Sequence, residues 1–126
     1  MSDIFILDCF PPSVNQLYGG THYGGRYLSK KHKELRAIVK QAVDGKRCGF
    51  ALATVRLDLF PKDARRRDVD NYTKGVFDSL TACGYWSDDD IVKKLIVVLH
   101  PKTEKDQTII RVYPYEEKQE NVPADQ

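Results

Sequence analysis

No apolar run in this 126-residue sequence approaches the roughly 20 residues that cross a bilayer, so a membrane-spanning reading is excluded. Cysteine is scarce. Cys9, Cys48 and Cys83 are odd in number, widely spaced and without a CxxC pair, which argues against a disulfide framework and against a zinc site. Cys83 continues an apolar helix face and reads as a buried thiol. The histidines His22, His32 and His100 are isolated, with no ligand-set spacing, and read as surface or strand-end residues. The opening MSDIFILDCFPP has no basic residue, and its apolar run is too short for a signal peptide. A reduced, soluble, cytoplasmic protein is expected. Excess charge is also small: 20 basic against 18 acidic residues give +2, so bulk charge argues weakly for a nucleic-acid partner. The distribution says more. Lys30 to Lys46 and Arg65 to Arg67 are basic, while Asp88 to Asp90 and the tail after Tyr115 are acidic.

What is present suffices for one core. Hydrophobic residues make up 41% and charged ones 30%, the proportions of a single globular domain, expected over 1–115 with 116–126 as a tail. DIFILDCF (3–10) reads as a strand stopped by Pro11-Pro12. Residues 13–28 are loop-like. Ser29 is a helix N-cap; Leu35, Ile38, Val39, Ala42 and Val43 form one apolar stripe, and Gly45 closes the helix. LATVRLDLF (52–60) alternates, with Arg56 and Asp58 on the polar side. A second helix starts within Asp68 to Asn71, with Val69, Tyr72, Val76, Phe77 and Leu80 as its stripe and Gly84 as its stop. IVKKLIVVLH (91–100) is apolar on both faces towards its end, as a central strand would be, and can form a hairpin with QTIIRVYP (107–114). The order β-α-β-α-β-β predicts a two-layer α+β domain, helices covering one face of a mixed four-stranded sheet.

RRRDVDNYTKGVFDSL (65–80) crowds opposite charges. With the chain extended at Asp68, Asp68 and Asp70 share a face just before the helix N-terminus, where negative charge is favoured. Their mutual repulsion is relieved by a divalent cation. Lys74 lies one turn beyond Asp70; Asp70, Lys74, Asp78 and Thr81 form a polar strip. WSDDDIV (86–92) brings Asp88, Asp89 and Asp90, one of which can join the pair. Three carboxylates make a hard, oxygen-only site that selects Mg²⁺ or Mn²⁺, with Lys74 over a scissile phosphate. Each piece also has a plain structural reading: an N-cap, a surface ion pair, a turn.

The stretches PPSVNQLY, YGGRYLS and RRRDVDNYTKGVFDSLTACGYWSDDDIV resemble the RusA family of Holliday-junction resolvases, over roughly residues 5–113. The resemblance implies catalytic roles for Asp68, Asp70, Lys74 and Asp89, with Asp88 as a neighbouring metal ligand and Asp90 as an extra acid, and places the family's arginine on Arg67. It further implies Mg²⁺ dependence, a homodimer, paired cuts across four-way junction DNA in recombination and repair, and a bacterial or phage source. A C2 dimer would present two equivalent sites to a nearly two-fold junction; the exposed side of the sheet or an apolar strand is the natural dimer surface. Beside an acidic site, Arg65, Arg66 and Arg67 read as phosphate contacts. Asn15 and Arg26 sit in the family-like stretches and are candidate DNA contacts. Tyr18, Tyr23 and Tyr27 could stack on bases or pack the loop down. Trp86 reads as a core or dimer anchor. The alternatives to a nuclease are a nucleic-acid-binding module without catalysis and, less fitting for so basic a loop, a nucleotide phosphohydrolase.

Overall fold

In the computed structural model, which describes residues 1–20 and 23–117, the chain lays two helices on one face of a mixed sheet. The strands are β1 (Asp3–Leu7), β4 (Ala53–Phe60), β5 (Val92–Leu99) and β6 (Gln107–Pro114), in the spatial order β1-β6-β4-β5. β6 is antiparallel to β1 and to β4, and β5 is parallel to β4. The helices are α1 (Lys30–Val43) and α2 (Thr73–Ala82), and a two-stranded hairpin, β2 (Tyr18–Gly20) with β3 (Arg26–Leu28), precedes α1. The expected α+β class holds.

The apolar stripe builds α1 as read. Ser29 Oγ accepts from the His32 amide, and Asp44 and Gly45 close the helix with left-handed φ angles of 50° and 78°. Leu35, Val39 and Val43 meet Val76 and Leu80 of α2 over Phe5, Val55, Leu57, Ile110 and Val112 of the sheet. Tyr85 and Trp86 finish this core, Trp86 Nε1 donating to Thr81 Oγ1 at 2.8 Å. Tyr72 is buried, whereas Cys83 is only half-buried. His32 is fully buried, which corrects the surface reading: the first turn of α1 points it inward, under the hairpin. His100 is a strand-end residue as expected, and His22 lies outside the described residues, as does most of the expected tail.

Two expectations about strand order are overturned. β5 is an edge strand, and it does not pair with β6. After β5 the chain rounds the end of β4, where Thr103 N donates to Pro61 O at 2.7 Å. β6 is thereby delivered to the far side of β4. Val69 is exposed and outside α2, because the chain makes a separate 3₁₀ turn over Val69–Asn71 before the helix. The stretch 13–28 is a hairpin rather than plain loop.

The sheet face away from the helices carries one charged cluster. Asp58, its side chain 4% exposed, accepts from Arg56 Nε (3.0 Å) and Arg111 Nη1 (2.8 Å) and lies 2.8 Å from His100 Nε2. The Arg56 bonds chiefly hold its carboxyl below the usual 3.8, against burial, with His100 adding to the effect. A depressed folded-state value stabilises the fold above the carboxylate range, and that contribution is lost as pH falls through it. Asp58→Asn is therefore expected to cost about 2 kcal/mol at neutral pH. In thermal melts the variant and the wild type should converge as pH falls below 3.8.

Candidate active site

The arginine loop is ordered by its own charges. Asp63 accepts from the Arg65 amide at 3.1 Å and pairs with Arg65 (3.3 Å) and Arg67 (2.9 Å). These bonds, the Arg65 amide first, hold its carboxyl at about 2. Arg67 is 7% exposed: its guanidinium lies 4.7 Å from the Phe10 ring centroid and donates to the carbonyls of Asp63 and Arg65. It braces the loop, while Arg65 and Arg66 are exposed.

Asp68 and Asp70 are both exposed and precede α2, at and within the 3₁₀ turn Val69–Asn71. Neither is used as a cap. Asp68 heads the turn Val69–Asn71 with no side-chain hydrogen bond to it, and α2 itself starts from Tyr72, again without a side-chain cap. The N-cap reading of these two acids therefore fails. Asp88, in contrast, does cap: its Oδ1 accepts from Asp90 N at 3.0 Å at the head of the turn Asp89–Ile91. Asp90 is exposed.

Lys74 sits in the first turn of α2, about half exposed, and pairs forward with Asp78 Oδ2 at 3.5 Å. The same oxygen accepts from Tyr18 Oη of the hairpin at 3.4 Å. Arg26 covers the Tyr18 ring at 4.4 Å, so one family-like arginine does reach this neighbourhood. Asn15 lies exposed on the turn Val14–Gln16 at the root of the hairpin. Asp89 is half-buried, and its carboxyl is pushed above 3.8, first by burial, then by the hydrogen bond and charge of Asp88 and the charge of Asp78, with Lys74 opposing. Asp89, Asp88, Asp78 and Lys74 thus act on one another. The turn 69–71 meets β5, and α2 meets the turn 89–91. Among the described residues, however, no three acidic, histidine or cysteine side chains are gathered closely enough to hold a metal ion.

The model of the family Endodeoxyribonuclease RusA matches residues 10–113, a span that contains every residue discussed above for this site. The chain belongs to the RusA family. Among its relatives are the crossover junction endodeoxyribonuclease rusA of Enterobacteria phage 82, 37% identical over 98 residues, and the RusA proteins of Escherichia coli strain K12, 35% identical over 99 residues, and strain E24377A, 34% identical over 99 residues. Each alignment covers 75% of this chain and 80% of the relative. Two residues in contact with the Lys74 neighbourhood were not singled out for it from sequence. Asp78 was visible only as part of the polar strip, one turn past Lys74. Tyr18 was visible only as one of the loop aromatics that could stack on bases or pack the loop; its contact with Asp78 was not, because three-residue strands are too short to register as alternation.

Asp88→Asn keeps a side chain that can cap the turn and removes the charge facing Asp89. The Asp89 midpoint, followed by carboxyl ¹³C shifts in metal-free protein, should then fall towards 3.8. An unmoved midpoint would mean that burial and the charge of Asp78 raise it without Asp88.

Proposed function

We propose that this chain is a Mg²⁺-dependent, structure-specific DNA endonuclease that resolves four-way junctions by paired symmetric cuts, acting in recombination and repair as a homodimer in the bacterial cytoplasm. The observation that carries the reading is that Asp68 and Asp70 stand exposed and uncapped at the head of α2, with Lys74 one turn on. The relatives' printed activity, crossover junction endodeoxyribonuclease, and their phage and enterobacterial sources support it. No described helix is long and apolar enough to cross a membrane.

The donor set fits Mg²⁺, with Mn²⁺ as a substitute, in its chemistry. Asp68, Asp70 and Asp89, with Asp88, offer only carboxylate oxygens, and the raised Asp89 carboxyl is one that a cation would relieve. When bound, the ion supplies an activated water and a polarised phosphoryl oxygen. The chain's own residues do the rest. Lys74 places an ammonium against the charge that grows on the scissile phosphate. Exposed Arg65 and Arg66 draw in the backbone without reading sequence. Arg26 and Asn15, on and beside the hairpin, lie where a second part of the junction can be met.

The sheet's open face suits the second copy. Ile4 and Ile6 of β1 are exposed there, in register with Arg111 and Ile109 of β6 and so beside the Asp58 cluster. A C2 pairing over this face buries apolar surface and sets two active sites in a symmetric relation. Ile6→Glu is expected to shift the sedimentation coefficient from dimer to monomer with the fold intact by circular dichroism.

A binding module without catalysis is the competing reading, and the ungathered carboxylates favour it. Cleavage of a synthetic immobile junction, with and without Mg²⁺, separates the two. The endonuclease reading expects Asp70→Asn to bind junctions normally and to lose cutting, and Lys74→Ala to cut roughly 100-fold or more slowly, the loss typical of a removed charge stabiliser. A wild-type protein that binds but never cuts with either metal gives the case to the binding module.

A further inference from the structure

A lysine and an aspartate four apart on an exposed helix face normally make a weak, mobile pair. The Lys74–Asp78 pair departs from that in one respect. Tyr18, from the hairpin, brings its hydroxyl to the same Asp78 oxygen that Lys74 contacts, at 3.4 Å and 3.5 Å. Asp78 is itself only 22% exposed.

The hairpin is fixed where Tyr18 leaves it. Leu17 is fully buried; its carbonyl accepts from Ser29 N at 3.0 Å and from His32 Nδ1 at 3.1 Å. Burial keeps His32 neutral, and a ring nitrogen facing a carbonyl must carry the proton. The Leu17 side chain lies over Gly75, the residue after Lys74, so closely that a Cβ there would come within 2.9 Å of it. The Tyr18 ring is held edge-on by His32 at 5.5 Å and covered by Arg26. The tyrosine hydroxyl is thus seated on α2 by groups from α1, β3 and the helix backbone.

Given the nuclease role above for Lys74, we infer that Asp78, held by Tyr18, is the positioning residue that fixes the Lys74 ammonium, and that the β2–β3 hairpin acts on the reaction through this contact. Lysine is a point charge on a flexible four-carbon stem. Anchored at Asp78 Oδ2, it keeps one arc of positions beside the acids; released, it samples the whole half-exposed surface. The hairpin also carries exposed Arg26, so DNA that settles on the hairpin bears on the residue that seats the lysine.

The test is a double-mutant cycle in single-turnover cleavage, at saturating junction and saturating Mg²⁺. Asp78→Asn should slow cutting by roughly 10- to 100-fold, as loss of an orienting partner does. Tyr18→Phe, which keeps the ring packing, should slow it by a smaller factor. Junction affinity should stay within about two-fold for both, since no binding group is removed. In the Lys74→Ala background neither change should cost anything further. In metal-free protein, NMR relaxation of the Lys74 side chain should show greater mobility in both variants. Full activity of Asp78→Asn, an additive loss on top of Lys74→Ala, recovery at higher Mg²⁺, or an unchanged Lys74 relaxation would each overturn the inference. If the wild type does not cut, the nuclease reading fails instead, and the relaxation measurement still decides whether Tyr18 and Asp78 hold the lysine.

Discussion

The parallel pairing of β4 with β5 constrains everything else in the site. Parallel neighbours need a crossover, and α2 supplies it. Tyr72, before α2, touches Phe10 beyond the end of β1, whereas Tyr85, after α2, bonds Asp3 at the start of β1. The helix therefore runs the length of the sheet. Ten residues at 1.5 Å each span about 15 Å. Asp68 and Asp70 precede the helix and Asp89 follows it, in a turn that packs back on α2 within reach of the Lys74 charge. Among the described residues the two acidic segments are not gathered into a metal-binding group, and Lys74 and Asp78, on the helix between them, act on Asp89 together with Asp88.

The charge crowding at 65–80 has a divided explanation. Arg67 and Asp63 spend their charges on each other and on the loop, because a twelve-residue connection from β4 to α2 has no core of its own to order it. Cation–π contact with Phe10 then ties that loop to the end of β1. Asp68 and Asp70 take no part in this. An aspartate that heads a turn without bonding to it gives up a contribution of about 1 kcal/mol that capping would offer. Asp88, a few residues before β5, does cap its turn. The contrast gives Asp88 and Arg67 structural bonds that Asp68 and Asp70 lack.

The layers were legible because they rest on local periodicity. The α1 stripe and its caps, the alternation of β4 and the break at Gly84 each follow from the residues themselves. Partner choice did not, since it is set by a few bonds at chain reversals. Thr103 on Pro61 sends β6 to the far side of β4, and nothing in the spacing of 91–114 reveals it. His32 was misjudged because a lone histidine among lysines looks solvated; its burial depends on Leu17, fifteen residues earlier, offering a carbonyl. The acids, the lysine and their order were visible throughout. Their arrangement in space was not, because it depends on how α2 packs against the turns before and after it.

β5 raises a last question. Its sequence is apolar on both faces, yet it forms the edge, where Leu95 is exposed. Parallel pairs ordinarily occur with both faces covered, and here helices cover only one. The other face presents Ile4 and Ile6 next to a nearly buried Asp58 with its two arginines. A carboxylate so desolvated is tolerable because guanidinium groups surround it, and covering those groups further would strengthen each bond by lowering the local dielectric. Leu95 lies opposite Val55, on the helix side of the edge, so only the open face bears on the proposed dimer. In that proposal the second copy would supply the missing layer over Ile96 and Val98 of β5, which share the open face with Arg56 and Asp58.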